Sequence, residues 1–128
     1  MSTWMSGFLA VGIGSALGGW ARWGLSVWLN PRHEHFYLGT YAANAIGGFL
    51  VGGAAAFFLE NPGLSPAWRL FIITGFLGGL TTFSSYSAEV VGLIQRGEMG
   101  WAMTVAATHL VTSLALTAIG FAAYRAMA

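Results

Sequence analysis

The sequence contains no cysteine, no lysine and no aspartate. Without thiols there is no disulfide, no thiolate metal site and no thiol nucleophile. Without lysine the positive charge rests on five arginines, and a net charge of +1 offers no basic face for nucleic acid. Charge of either sign is scarce, at 7% of residues, against roughly 25% in ordinary soluble domains. What is present instead is apolar: 56% of the 128 residues are hydrophobic. Long apolar runs take up nearly the whole length and leave no room for a soluble domain or linker.

The pattern predicts one all-α membrane domain over residues 1–128, with spans at about 5–29, 36–59, 66–95 and 99–126. The first apolar stretch lacks a basic leader and is too long for a signal peptide, so it reads as a permanent span. It carries two small-residue rows at helical spacing, Gly14 with Gly18 and Ser15 with Gly19, which let another backbone approach closely in lipid. Arg22 extends the first row near the end of the span. It reads either as an interfacial anchor or as an anion-attracting group at a pore mouth. The turn that follows holds His33-Glu34-His35, a weak metal motif with no further ligand nearby that reads better as a solvated loop.

The second span has a row at every fourth residue, Thr40, Asn44, Gly48, Gly52 and Ala56, that is small or polar throughout. That face must meet protein or a cavity. Asn44 is its strong hydrogen-bonding group, serving either to clasp another helix or to offer its amide N–H₂ to an anion. The last span has a polar stripe of its own, His109, Ser113 and Thr117, covering about 12 Å of helix axis.

The chain is organised around residues 74–89, TGFLGGLTTFSSYSAE. Three glycines and two threonines in an apolar run disfavour a continuous helix, each Gly by about 1 kcal/mol relative to Ala. A break is therefore expected over residues 75–81. Within a membrane, freed backbone groups are tolerated only where they face protein, water or an ion. Beyond the break, Thr82, Ser85, Tyr86 and Glu89 share one helical face, and Phe83 lies three residues before Tyr86. The positive edges of aromatic rings, with Ser and Thr hydroxyls and the Asn44 amide, form a set that touches a small anion reversibly.

Gly39-Thr40 with Asn44 four residues on, TGFLGGLTTFS with Ser87 and Glu89 behind it, and Gly19-x-x-Arg22 in the first span together resemble the Fluc (CrcB-type) fluoride channel family over essentially the whole chain. The resemblance implies an antiparallel, dual-topology homodimer of four-helix subunits in the bacterial inner membrane, with the third helix broken mid-membrane. It implies passive export of toxic cytoplasmic fluoride through two pores. By motif position Asn44 corresponds to the family's pore asparagine and Phe83 to the first pore phenylalanine, while Tyr86 stands where the second phenylalanine is expected. Ser113 and Thr117 fall on the hydroxyl track of the last helix, Thr82 and Ser85 join the pore set from the shared face beyond the break, and Arg22 and Glu89 match the family's Arg and Glu. The backbone carbonyls of Gly78 and Thr81 match those that hold a structural sodium ion.

Three other readings fit less well. A four-helix proton-coupled multidrug transporter needs a carboxylate deep in a span, and the first span offers Arg22 instead. An intramembrane hydrolase pairing Ser84 or Ser113 with His109 lacks a third, orienting group. A scaffold subunit with no transport activity is the plainest alternative. Charge placement bears on topology: four spans put Arg69 and Arg125 on one side and Arg32 and Arg96 on the other, with Arg22 near the second. So little bias predicts insertion in both orientations.

Overall fold

The computed structural model describes residues 2–30 and 35–128, so Arg32, His33 and Glu34 of the first turn lie outside the described residues. Helix α1 spans Thr3–Leu29 and opens on Ser2, whose hydroxyl accepts from the Met5 N–H at 3.1 Å. Helix α2 spans Leu38–Glu60, and its first turn is closed from outside: the Asn30 carboxamide oxygen at the end of α1 accepts from the N–H groups of Gly39 (2.7 Å) and Thr40 (3.2 Å). These are two of the donors that a helix start leaves unsatisfied.

Helix α3, residues 66–80, begins with Ser65 as cap and Pro66 in the first turn, as the sequence pattern predicts. It is not uniform. Pro66–Arg69 is α-helical, Leu70–Leu77 widens to a π-helix, and Gly78–Leu80 returns to α geometry. Helical geometry then stops for two residues, Thr81 (φ −86°, ψ 156°) and Thr82 (φ −149°, ψ 121°), and resumes in α4, Phe83–Gln95. The interruption thus falls on the threonines, while Gly75, Gly78 and Gly79 keep helical geometry. For Gly75 and Gly79 the role is close approach to α1, whereas a Cβ on Gly78 would meet only ordinary contact. A Cβ on Gly79 would lie 2.7 Å from the Ser15 carbonyl, and one on Gly75 would lie 3.0 Å from the Gly14 Cα.

Just beyond the end of helix α4 stands Gly97, whose φ of 76° suits glycine. The Glu98 N–H returns to the Leu93 carbonyl and the Gly97 N–H to that of Ile94, which closes the helix end. Helix α5 is Met99–Met127.

The helices pair as α1 with α3, α2 with α5, and α4 with α5. The predicted stripe on α2 meets protein: Thr40, Gly48, Gly52 and Ala56 are buried, and a Cβ on Gly52 would strike the Thr117 carbonyl. Buried apolar side chains form two small groups, Ala43 with Leu77 and Leu80, and Leu93 with Ala102 and Val105. Large apolar side chains such as Trp20, Trp23, Leu114 and Val111 are exposed. Such an exterior would aggregate in water and suits hydrocarbon. Three stretches are long and apolar enough to cross a membrane: Leu38–Glu60, Pro66–Gln95 and Met99–Met127. Helix α1 has the length, 27 residues, but its tryptophans, glycines, serines and Arg22 dilute its apolarity, and it is not among them.

Candidate functional site

The two extended residues free backbone groups that a helix would have paired, and Asn44 takes them up. Its carboxamide oxygen accepts from the Thr82 N–H at 2.7 Å, and its N–H₂ donates to the Thr82 carbonyl at 3.0 Å. One side chain on α2 therefore replaces the missing helical bonds of the break, a clasp in which neither polar group of Thr82 is left bare. Thr82 also caps the next helix, its hydroxyl oxygen accepting from the Ser85 N–H at 3.0 Å. Gly47 allows the contact, since a Cβ there would collide with the Thr81 methyl group.

Beside this clasp lies a cavity of about 380 Å³ lined by Asn44, Thr82, Phe83, Tyr86, His109 and Ser113, with Gly78, Thr81 and apolar residues of α2 and α3 completing the wall. Phe83 is 79% exposed, and its ring lies 5.5 Å from that of Tyr86 at an interplanar angle of 55°. The Tyr86 hydroxyl turns away to donate to the Ala106 carbonyl at 2.8 Å, so a phenol is accommodated with its oxygen tied to α5. The His109 ring lies 4.8 Å from the Tyr86 ring, tilted by 32°, and stands 3.4 Å from the Asn44 amide nitrogen.

Of the ten positions expected to serve the pore or the sodium ion, seven surround one cavity: Asn44, Gly78, Thr81, Thr82, Phe83, Tyr86 and Ser113. Three lie outside its lining. The backbone of Ser85 serves the cap. The Thr117 hydroxyl faces the Gly48 and Ser113 carbonyls at 2.9 and 2.8 Å. Arg22 reaches from α1 to the Gly79 carbonyl, Nε to O 3.1 Å, bracing the chain just before the interruption. Glu89 accepts from the Thr40 hydroxyl at 2.6 Å, and its other oxygen is buried without a partner. Sequence reasoning did not find the Arg22 to Gly79 and Thr40 to Glu89 pairings. The one available signal was that each is a polar residue on a face already marked by small neighbours.

At one end of the bundle the Glu98 carboxylate accepts from His35 at 2.6 Å and from Arg96 at 3.1 and 3.0 Å, and His35 stacks on Trp101. Desolvation opposes ionisation of Glu98, but the His35 and Arg96 hydrogen bonds outweigh it and hold the carboxyl below its ordinary range. Among the described residues no three His or Glu side chains gather as a metal site, and no serine hydroxyl bonds to His109.

A thin core, an apolar exterior, and an interrupted helix whose backbone is clasped beside a ring-lined cavity define a multi-pass membrane protein of the helical-bundle kind. The chain belongs to the CrcB family: the profile of the CrcB-like protein, Camphor Resistance (CrcB), matches residues 9–121. It is similar to the fluoride-specific ion channel FluC of Thiobacillus denitrificans, with 53% identity over 117 residues, covering 91% of this chain and 94% of that one. The protein of the same name from Cupriavidus metallidurans is 52% identical over 122 residues, covering 95% and 97%. That from Pseudomonas aeruginosa is 50% identical over 117 residues, covering 91% of each.

Proposed function

We propose that this chain is the subunit of a fluoride-specific channel that lets toxic cytoplasmic fluoride leave the cell passively across the bacterial inner membrane. The observation that carries the reading is identity above half, over nearly the full length, with relatives named for that activity. The cavity suits the ion. Ring edges of Phe83 and Tyr86 present weak positive charge, and the Asn44 amide and the hydroxyls of Thr82 and Ser113 on the cavity wall supply donors in place of water, with Ser85 and Thr117 lying outside that wall. Arg22 behind the break adds a fixed positive charge that favours an anion. No carboxylate lines the cavity, which disfavours proton-coupled export of cationic drugs.

In this reading α1 is a fourth span, the third is broken mid-membrane, and two subunits pair antiparallel as a dual-topology homodimer with two pores. A structural sodium ion fits the same interruption. The donors that would close helical turns onto the Gly78 and Thr81 carbonyls are the Thr82 and Ser85 N–H groups, and these bond to Asn44 and to the Thr82 hydroxyl. Those two carbonyls from each subunit would hold the ion, whose charge would fix the paired breaks together.

The direct test is fluoride-electrode efflux from liposomes holding the purified protein, run beside chloride. Fluoride should leave and chloride should stay; equal release of both, or neither, overturns the reading. For the pairing, arginines added at one end or the other should give two variants, each inactive alone and active when co-expressed. Full activity from one variant would rule out the antiparallel assembly.

A further inference from the structure

Among the described residues His109 and Thr40 are the buried polar side chains, and His109 is only 4% exposed. From α5 it packs against Tyr41 and Asn44 of α2, Tyr86 of α4, and Phe36. The titratable groups that face it are the two tyrosine rings. Glu89, one turn beyond Tyr86, is engaged by Thr40, and among the described residues no carboxylate or guanidinium forms an ion pair with the imidazole.

The Asn44 clasp fixes what His109 can do. With the carboxamide oxygen held by the Thr82 N–H and one amide hydrogen on the Thr82 carbonyl, the orientation of Asn44 is set. Its second amide hydrogen is left for His109 Nδ1 at 3.4 Å. An amide N–H₂ only donates, so Nδ1 meets it with a lone pair, and the proton of the neutral ring sits on Nε2. That nitrogen is buried and has no partner.

We infer that Asn44 and His109 form a proton-linked anion site, in which the neutral ring occupies the second Asn44 N–H and the protonated ring turns the same contact into a pair of donors. Nδ1 takes its proton from hydronium in the aqueous phase, which is left as water. Once both nitrogens, now 3.4 Å apart, carry hydrogens they repel, and a turn of the imidazole lets the two N–H groups converge on one small anion at about 2.7–2.9 Å from each, the length of a charge-assisted bond. The imidazolium and a monovalent anion cancel in charge, whereas either one alone would be costly to bury. Proton and anion therefore enter together, and each raises the affinity for the other by the same factor. Fluoride, small and a strong acceptor, is the ion that suits the gap, so the site deepens the fluoride reading above and rests on it.

The test uses the whole protein in lipid nanodiscs, with isotope-labelled histidine nitrogens read by NMR and the His109 signals assigned from His109→Gln. At mildly acidic pH without fluoride, His109 should show one protonated nitrogen, Nε2. With sodium fluoride both nitrogens should be protonated, and with sodium chloride the neutral pattern should persist. Fluoride affinity should rise by up to about tenfold per unit fall in pH while the free ring is neutral, and His109→Gln should lose that dependence. A ring that stays neutral at saturating fluoride, in protein that still passes fluoride in liposomes, overturns the linked site and leaves the channel reading standing. A ring that protonates equally with chloride also overturns it. The fluoride-dependent signal in protein that passes no fluoride would support the site and overturn the channel reading alone.

Discussion

Residues 66–80 meet α1 through bare backbone: Gly14 and Gly18 face the peptide groups of Phe71 and Phe76, and Gly79 faces Ser15. Residues 83–95 meet α2 and α5 through side chains: Glu89 on Thr40, the Tyr86 hydroxyl on the Ala106 carbonyl, and the Tyr86 ring on His109. Between them Thr82 is held by Asn44. The first contact tolerates no added atoms, because backbone stands on both sides. The second holds groups whose chemistry can be exchanged at nearly constant volume. Backbone close packing and polar side-chain contacts thus lie on opposite sides of two extended residues, and substitutions on the two sides should fail in different ways.

The largest effect is expected on the backbone side. A Cβ at Gly18 would overlap the Phe76 carbonyl and lie 2.8 Å from the Leu80 nitrogen. Gly18→Val should cost about 3 kcal/mol, at the upper end of overpacking, and eliminate the monodisperse peak in size-exclusion chromatography. Gly12→Ala, where a Cβ meets nothing, should be neutral or stabilising by up to ~1 kcal/mol. If both variants behaved alike, close approach would not be what holds α1 to α3.

On the chemical side, Phe83→Ile should abolish fluoride efflux while leaving the chromatographic peak unchanged, since the ring is exposed and few neighbours depend on its shape. Normal efflux would remove that ring from the pathway. Asn44→Asp should come next. It exchanges the N–H₂ that serves the Thr82 carbonyl for an acceptor and adds a charge of the ion's own sign, so both efflux and thermal stability should fall, and Asn44→Ser should do less harm. Unchanged stability in the Asp variant would mean that the clasp does not support the break.

Tyr86→Phe should retain efflux, because the ring edge stays, and should lower stability by only about 0.6–1 kcal/mol for the lost bond to Ala106. The smallest effect belongs to Glu98. Its carboxyl is held below the ordinary range by His35 and Arg96, so its contribution is present above the unfolded carboxylate range and is lost as pH falls through the lowered folded value. Melting temperatures across an acidic pH series should show a shallow fall that Glu98→Gln flattens.

Much of this arrangement was readable from residue order, and the misses have physical causes. The α2 stripe was legible because small residues at every fourth position have one simple use in lipid, and Thr40, Gly48, Gly52 and Ala56 are indeed buried. The cluster at 74–89 marked the cavity wall for a similar reason, since hydroxyls and glycines in an apolar run are costly without a task. The interruption falls at the C-terminal edge of the expected stretch 75–81, on Thr81 and Thr82 and not on the glycines. Glycine permits unwinding but does not dictate it, and here the missing side chains were needed for contact with α1. The π-helical stretch Leu70–Leu77 leaves no mark in composition. Asn44 offered two uses in sequence, and its pairing with Thr82, 38 residues away, depends on the fold itself.

The Asn30 side chain has a bearing on how the protein is made. Because it completes the first turn of α2 from the end of α1, the second helix is finished only when the first is beside it. In the proposed four-span reading, the two should leave the translocon as a hairpin, with the junction staying on one face of the bilayer. In the proposed two-orientation assembly each nascent chain would therefore decide its direction once, at this hairpin, and the later helices would follow without a further choice.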